Sequence, residues 1–367
     1  MKKMGIVGAV FLLLALGVQA WGLSICDYHS PKTALTDARL SFGYRYYDDA
    51  NTPAVDVNSG RLAVDYDQLF DSPNYGFSLG GSAELAFDAF VPTGWLGQGS
   101  ATFRYYPMAE ALLFAFGGLE SSLATGQPRP GVDVRVGVGI GRFSDVTPMA
   151  KAFTIESDLI RLGALFDPLP DDVMLAMASA IGREIEYESL KELVADIESL
   201  IEAVAAVDLD ARALLTIEEI ILAGGDTRRC GWAIQAGIGY ELVDPFGNPQ
   251  NIVVGGSADA AFAFGPDDQL LFHASYSGPF DIMNENTLNA SASYEVALTD
   301  ESTLIADYVL QRVKPDGQAP TSSHAAGLSI GFDVAGIDIL VEASLTRTTG
   351  DPAWSTDISL SAAMDLL

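Results

Sequence analysis

The sequence predicts an all-β protein: a transmembrane, up-and-down antiparallel β-barrel of about fourteen strands, with an α-helical insert between the sixth and seventh strands. Three observations predict it. Apolar and polar residues alternate over long stretches, the period becomes helical in the middle of the chain, and the connections between strands differ in length at the two ends of the predicted barrel.

The chain begins with the features of a secretory signal peptide. Lys2 and Lys3 form a positive n-region, residues 6–16 are an apolar core, and Val18-Gln19-Ala20 resembles a cleavage site. We therefore expect residues 1–20 to be removed and residues 21–33 to form an N-terminal periplasmic segment. The alternative is a retained N-terminal helix. Beyond this stretch, no run of about eighteen apolar residues predicts a membrane-spanning helix.

The clearest alternation runs from residue 75 to residue 91. Tyr75, Phe77 and Leu79 lie on one face of an extended strand, whereas Ser78 and Glu84 lie on the other, because side chains alternate with period two. The pattern continues beyond the roughly 9–11 residues that a tilted strand needs to cross a bilayer. The sequence Pro92-Thr93-Gly94 then predicts a turn.

The same alternation recurs along residues 34–144 and 229–367, which we interpret as the two parts of the barrel. Residues 111–123 are apolar on both faces, so their orientation stays unassigned. An even number of strands is typical of bacterial single-chain barrels. The predicted strands are 34–46, 62–66, 75–91, 95–106, 111–123, 131–142, 230–242, 252–264, 269–277, 287–298, 303–312, 324–334, 337–347 and 354–366.

Residues 145–228 differ in period and are predicted to form an acidic bundle of about four helices. The expected helices cover residues 157–166, 171–186, 188–204 and 210–223, with Asp171 and Asp210 as N-caps and Gly224 after the last helix. The apolar stripe of the third helix is Leu190, Leu193, Val194, Ile197, Leu200, Ile201 and Val204. The alternative is an independent soluble domain that separates two β-domains.

The lengths of the connections provide a second signal. With the N-terminus at the inner face, the inner connections 72–74, 265–268 and 335–336 are short, whereas the outer connections 244–251 and 313–323 are longer and rich in Gly, Pro and Asn. This asymmetry is typical of outer-membrane barrels. The same parity makes the helical insert an inner connection, either periplasmic or folded as a plug in the barrel mouth.

The two cysteines, Cys26 and Cys230, both belong at this inner end. The residues between Cys26 and the first strand can reach roughly 25 Å. A disulfide between the two is therefore feasible in an oxidising compartment, and the alternative is two unpaired thiols.

The polar faces of the strands should line the lumen, because lipid requires an apolar outer face. Carboxylates predominate among the charged residues on these faces, and rings of carboxylates favour cations. If the lumen is open, we expect cation preference; the alternative is that the charges pair and close it. The predicted lumen-lining residues are Glu84, Asp88, Arg104, Asp133, Arg135, Glu241, Asp259, Glu295, Asp307, Glu342 and Asp357.

Several classes of function are disfavoured. A formal net charge of −29 argues against nucleic-acid binding, which needs clustered Lys and Arg. His273 and Ser275 share a strand face, but that spacing alone does not indicate a nucleophile with its base. No Cys/His cluster has zinc-ligand spacing. We therefore expect no catalytic site, no metal and no cofactor.

With signal peptide, alternating strands and unequal connections, the chain resembles bacterial outer-membrane β-barrel proteins, and in size the porins and the fatty-acid-transport barrels. The resemblance covers residues 34–144 and 229–367 and is architectural, without a family motif. It departs at the C-terminus, Met364-Asp365-Leu366-Leu367, where such barrels end on an aromatic residue, and in its acidic insert.

This resemblance implies a location in the bacterial outer membrane, contact with membrane lipid, and passage of small solutes or cations. It leaves open a periplasmic partner for the insert, and a monomer or a trimer. Two rival hypotheses are a closed structural or adhesive barrel and a secreted pair of soluble β-sandwiches whose apolar faces meet.

Overall fold

The computed structural model describes residues 23–30, 32–47, 57–108, 111–205, 208–222, 227–299, 302–333, 338–351 and 353–365. The predicted signal peptide, the C-terminal Leu366-Leu367 and the predicted capping residue Gly224 lie outside the described residues.

Fourteen antiparallel strands form a closed barrel in which each strand pairs with its neighbours in sequence and β1 pairs with β14. This confirms the predicted fold class. The strands are β1 (Thr33–Tyr47), β2 (Val57–Asp71), β3 (Tyr75–Asp88), β4 (Val91–Tyr105), β5 (Leu113–Ala124), β6 (Gly131–Asp145), β7 (Arg229–Val243), β8 (Ile252–Ala263), β9 (Asp268–Pro279), β10 (Asn286–Thr299), β11 (Ser302–Lys314), β12 (Thr321–Asp333), β13 (Asp338–Thr348) and β14 (Ser355–Asp365).

The barrel has two distinct ends. We call the end at which β1 begins and β6 is followed by helices the insert end, and the opposite end the loop end. Each strand is long enough to cross a bilayer at a tilt. Most connections at the insert end are short turns, such as 72–74 and 264–267, whereas those at the loop end include 244–251 and 315–320.

The closing seam of the barrel is short. Every residue of β1, from Thr33 to Tyr47, is paired with β2. Among the described residues, only Arg39–Gly43 of β1 pair with β14, opposite Ser361–Asp365. The seam therefore has fewer ladder hydrogen bonds than the interior of the sheet.

One predicted turn is displaced. The β3–β4 hairpin turns at Ala89 and Phe90, whose φ angles are 48° and 62°. Two consecutive positive φ values are what a tight type I′ hairpin turn requires. The predicted turn Pro92-Thr93-Gly94 is wrong, because these residues belong to β4, next to a register irregularity where the sheet tolerates proline.

The insert contains four α-helices: α1 (Thr147–Leu162), α2 (Asp171–Ile181), α3 (Leu190–Ala205) and α4 (Ala211–Leu222). None of the helices in the described part of the chain is long and apolar enough to cross a membrane. The first helix begins ten residues before the predicted start, because Pro148 opens it, and it ends at Gly163, whose φ is 76°.

The predicted helix caps have different outcomes. Asp210 accepts a hydrogen bond of 2.9 Å from the backbone N–H of Ala213, as an N-cap does. The prediction for Asp171 is wrong, since the N-cap position of α2 is Pro170 and Asp171 lies in the first turn. A carboxylate there still interacts favourably with the helix dipole.

The apolar stripes of the four helices form a buried core, as the helical period requires. This core includes Ile25 and Tyr28 of the N-terminal segment, Cys230 of β7 and Ala263 of β8. The insert therefore packs on the barrel rim, which contradicts the alternative of an independent domain. Its fully buried large side chains are Met149, Ile155, Leu159, Met174, Met177, Leu193, Ile197, Ile201 and Ile217.

Candidate functional site

Strand register places all eleven predicted lumen residues on one face of the barrel. Residues paired across antiparallel strands point to the same side, and alternate residues along a strand do so too. For example, Asp133 is opposite Glu120 and Glu241, and Asp259 is opposite His273. Continuing this rule through every ladder connects Glu84 on β3 to Asp357 on β14.

The opposite face carries an exposed apolar band. At the middle of β6 and β7, Val136, Val138 and Ile238 have 66%, 62% and 55% of their surface exposed. A closed barrel has no second sheet to cover this band, so the soluble β-sandwich hypothesis is wrong. A band of this kind requires an apolar surrounding.

Aromatic side chains border the band at both ends. Tyr75 stacks with Phe103 at the insert end, with ring centroids 6.2 Å apart, and Tyr44 stacks with Phe90 at the loop end, at 4.6 Å. Two aromatic girdles flanking an apolar band are typical of barrels that cross the outer membrane. The fold is that of an outer-membrane β-barrel. The candidate functional face is therefore the polar one inside.

Comparisons with known proteins find matches among solved structures at low identity and low TM-score. The sequence matches no family model and no curated protein. Solved structures that match include OmpTdeltaL8, a loop deletion mutant of the outer membrane protein OmpT of Vibrio cholerae, at 8% identity and a TM-score of 0.36, covering 91% of this chain and 99% of that one. OccK2 of Pseudomonas aeruginosa matches at 9% identity and a TM-score of 0.34, covering 92% and 98%. A BenF-like porin of Pseudomonas fluorescens matches at 9% and 0.34, covering 92% and 99%.

Charge is divided unequally around the lumen. On β1–β6, arginines accompany the carboxylates: Arg61 lies 3.7 Å from Glu84, and Arg135 lies 2.8 Å from Glu120. On β8–β14, the described residues of the lumen face include no Lys or Arg at all. The carboxylates of this second wall are Asp259, Glu295, Asp307, Glu342 and Asp357, and many of the positions between them are serines.

His273 lies on this second wall. Its Nδ1 is 2.5 Å from Oδ1 of Asp259, and the hydroxyl of Ser257 donates to the other oxygen of Asp259 at 3.4 Å. Ser291 is directly opposite His273 on β10. Among the described hydrogen bonds, none joins His273 to a serine hydroxyl, so this geometry does not assemble a nucleophile and its base.

A buried cluster lies at the insert end of the barrel, on the side of β2–β6. The hydroxyl of Tyr106 donates to Asp71 at 3.1 Å, and the guanidinium of Arg142 lies 4.0 Å from the centre of the Tyr106 ring. Arg104 lies over the ring of Phe114 at 5.5 Å. Burial, and next the charge of Asp71, raise the pKa of Tyr106, so its hydroxyl remains a donor.

Sequence reasoning assigned Arg104 to the lumen but missed the rest of this cluster. Phe114 belongs to the stretch that is apolar on both faces. The available signal was the glycines of the neighbouring strand: an added Cβ at Gly137 would lie 2.6 Å from the ring of Phe116. The aromatic rings of β5 therefore occupy the space that the β6 glycines leave free.

The barrel is narrowed where β1 approaches β6. These two strands are not neighbours in the sheet, yet Cα atoms of the two come within 8 Å of each other. A round barrel of fourteen strands would hold them much farther apart, because barrel diameter grows with strand number. The cross-section of the lumen is therefore not circular where β1 and β6 approach each other.

A disulfide joins the N-terminal segment, which packs in the helical core, to the barrel rim, and hydrogen bonds join the base of the insert to the same rim. Cys26 and Cys230 form a disulfide with their Cα atoms 5.4 Å apart. Arg228 donates to the carbonyl of Pro266 at 2.9 Å. Buried Gln269 donates to the carbonyl of Thr227 at 3.1 Å and to Glu295 at 2.8 Å. The helices are therefore fixed at the mouth of the barrel.

A cavity of about 710 Å³ lies between the N-terminal segment and the helices, next to Asp145 at the barrel rim. Lys151 lines it and donates to the carbonyl of Ile221 at 2.7 Å. Burial lowers the pKa of the Lys151 ammonium, against the opposing effect of Glu184.

Proposed function

We propose that this protein is a passive channel of the bacterial outer membrane for small solutes, with a preference for cations. The observation that carries the proposal is the lumen wall of β8–β14, whose described residues combine carboxylates and serines without a Lys or Arg. Solutes cross by diffusion, so the chain needs no catalytic group and no cofactor.

The second wall selects by charge. Carboxylates along a pore attract cations and repel anions, and serine hydroxyls replace part of a solute's water. On the wall formed by β1–β6, the charges of ion pairs such as Arg135 with Glu120 largely cancel each other. The permeating cations therefore follow β8–β14, past Glu295 and Asp307, rather than the axis of the barrel.

The insert end limits the size of the solute. The buried cluster around Tyr106 occupies the side of β2–β6, and β1 approaches β6. The helices are held at this mouth by Arg228 and by the N-terminal segment, which packs in their core and is attached to β7 by the disulfide. Solutes leaving the lumen pass beside the helices, in the periplasm, and large solutes are excluded.

The test is conductance in planar bilayers with a salt gradient. The triple variant Glu295→Gln, Asp307→Asn, Glu342→Gln should shift the reversal potential toward equal permeability for the two ions, because each change removes a lumen carboxylate. The matched control is Asp172→Asn, Glu186→Gln, Glu219→Gln, which removes three exposed charges from the insert and should leave the reversal potential unchanged.

Equal shifts in both triple variants would overturn the cation pathway. Absence of channel events from wild-type protein in either salt polarity would overturn the channel itself. That result would favour a closed structural barrel, which the approach of β1 to β6 also supports.

A further inference from the structure

The outer face of the barrel carries one group of basic residues at the loop end. Arg312 and Lys314 lie at the end of β11, His324 lies near the start of β12, and Arg347 lies near the end of β13. His324 is directly opposite Arg347 and Leu310, so these side chains belong to one face, opposite to the face of Asp307 and Glu342. We call Arg312, Lys314, His324 and Arg347 the loop-end basic patch.

This patch holds every Lys and Arg among the described residues of strands β8–β14. Some other cations of this acidic chain form ion pairs with carboxylates, as Arg61 does with Glu84 and Arg161 with Asp158. Within the described part of the chain, no cation of the patch forms an ion pair with a carboxylate. In a protein with a net charge of −29, unneutralised cations on the membrane face require an external anion.

The patch is held in place by neutral partners. Arg312 donates to the side-chain oxygen of Asn286 at 3.1 Å, and Lys314 donates to the carbonyl of Met283. Nδ1 of His324 is 2.7 Å from the hydroxyl of Tyr308, which leaves Nε2 free to face a ligand. The positions of Arg312, Lys314 and His324 are therefore set by groups that carry no charge.

The adjoining connections contain four carboxylates at described positions, Asp281, Glu285, Asp316 and Asp351. Among the described ion pairs, none joins Glu285 or Asp316 to the patch. Asp281 and Asp351 are engaged in their own turns. Asp281 accepts from the side chain of Asn284 at 2.7 Å, and Asp351 accepts from the backbone N–H of Thr348 at 2.8 Å. They cap their connections instead of reaching the patch.

Apolar side chains adjoin the patch. Phe280 and Met283, in the β9–β10 connection, are 78% and 74% exposed, and Leu345 on β13 is 44% exposed. A ligand that matches both features combines anionic groups with acyl chains.

We propose that the loop-end basic patch binds the phosphate groups of a phosphorylated glycolipid in the outer leaflet. The proposal rests on the location in the outer membrane proposed above and is independent of conduction. Arg312 and Arg347 offer the planar guanidinium groups that pair with phosphate in a bidentate manner, and Lys314 adds a point charge. Leu345, two residues from Arg347 toward the middle of β13, contacts the acyl chains.

The experiment measures binding of diphosphorylated lipid A to the full mature chain in neutral detergent by native mass spectrometry. The variant Arg312→Gln, Lys314→Gln, Arg347→Gln should bind about 100-fold more weakly, since each cation near a membrane phosphate contributes roughly fivefold. The matched control is Arg161→Gln, Lys191→Gln, Arg212→Gln, which removes three cations from the insert and should bind as wild type.

Heat-modifiable gel mobility checks that each variant forms the barrel. If the patch variant does not, wild-type protein with dephosphorylated lipid A provides the same test, and its binding should fall as far. Equal weakening in both triple variants would overturn the proposal. Wild-type binding that is as tight to dephosphorylated as to diphosphorylated lipid A would overturn it too. Displacement of the lipid by millimolar inorganic phosphate would also overturn it, because the site would then recognise free phosphate.

Discussion

The helical insert and the barrel wall use the same apolar residue types in opposite directions. In the insert, Ile197 and Ile217 are fully buried among other helices. In the wall, Ile234 and Ile238 are more than half exposed on the outer face, while the interior is polar. The insert shields its apolar side chains from water, whereas the barrel wall presents them to lipid.

The difference shows that the surrounding solvent, water or lipid, determines whether the apolar side of a periodic pattern faces inward or outward. A period of 3.6 residues places an apolar stripe inside a bundle, and a period of two places it outside a barrel whose lumen is polar. The two regions meet at the rim, where Cys230 and Ala263 belong to a strand and also to the helical core. The boundary between the two solvents therefore lies within a few residues of Cys230.

The largest expected effect comes from the disulfide at the junction of the two regions, which joins the N-terminal segment to β7. The disulfide closes a loop with a sequence separation of 204 residues. The double variant Cys26→Ser, Cys230→Ser should lower the free energy of unfolding by about 5 kcal/mol, because the unfolded chain regains its loop entropy. Urea unfolding in detergent measures it. Wild-type protein under reducing conditions should match the variant, and an unchanged midpoint in both would contradict the prediction.

A cavity in the insert should cost somewhat less. Ile197→Ala removes a side chain that has no exposed surface, and we expect a loss of about 3–4 kcal/mol. Val204→Ala, on the same helix but 48% exposed, is the control and should change stability by less than about 1 kcal/mol. Protection of the helix amides from hydrogen exchange reports the effect. Similar losses at both sites would show that α3 does not bury this face.

A charge placed at the centre of the outer face tests whether lipid covers that face. Val138→Arg, midway along β6, should destabilise the barrel by about 2–3 kcal/mol in lipid vesicles, because arginine is costly at the bilayer midplane. Leu242→Arg, near the loop end of β7, should cost about 0–1 kcal/mol, since the penalty falls toward the interface. Refolding into vesicles, followed by gel mobility, compares the two. Equal penalties would mean that lipid does not cover this face.

The smallest effect concerns the inner face. Arg61 and Glu84 form an ion pair of 3.7 Å with both side chains well exposed. Arg61→Gln should therefore change the free energy of unfolding by less than about 1 kcal/mol. A loss comparable to that of Ile197→Ala would indicate that the lumen is dry. Unfolding at high salt would distinguish a dry lumen from a hydrated one, because salt screens only exposed charges.

Much of the fold could be predicted because the period of two is a long-range property of each strand. In the segment beginning at Tyr75, the alternation fixed the face of every residue up to Asp88, and register later joined those faces into one lumen surface. The strand count and the place of the insert followed from the two changes of period, near Asp145 and near Cys230.

Other features depended on contacts that no local pattern contains. The turn at Ala89 and Phe90 uses two residues without turn chemistry, and the pairing of β3 with β4 imposes their positive φ. The early start of α1 at Thr147 follows from packing of its first turn, where Met149 is fully buried. The Tyr106 cluster unites side chains from several strands, which only the closed barrel brings together.

The five-residue pairing of β1 with β14 has a mechanical consequence. A closed wall parts first where the fewest hydrogen bonds hold adjacent strands, and in this protein that place is the junction of the chain's two terminal strands. A lateral passage between lumen and bilayer, if stress opens one, will form beside Ser41 and Ala363 rather than elsewhere on the circumference.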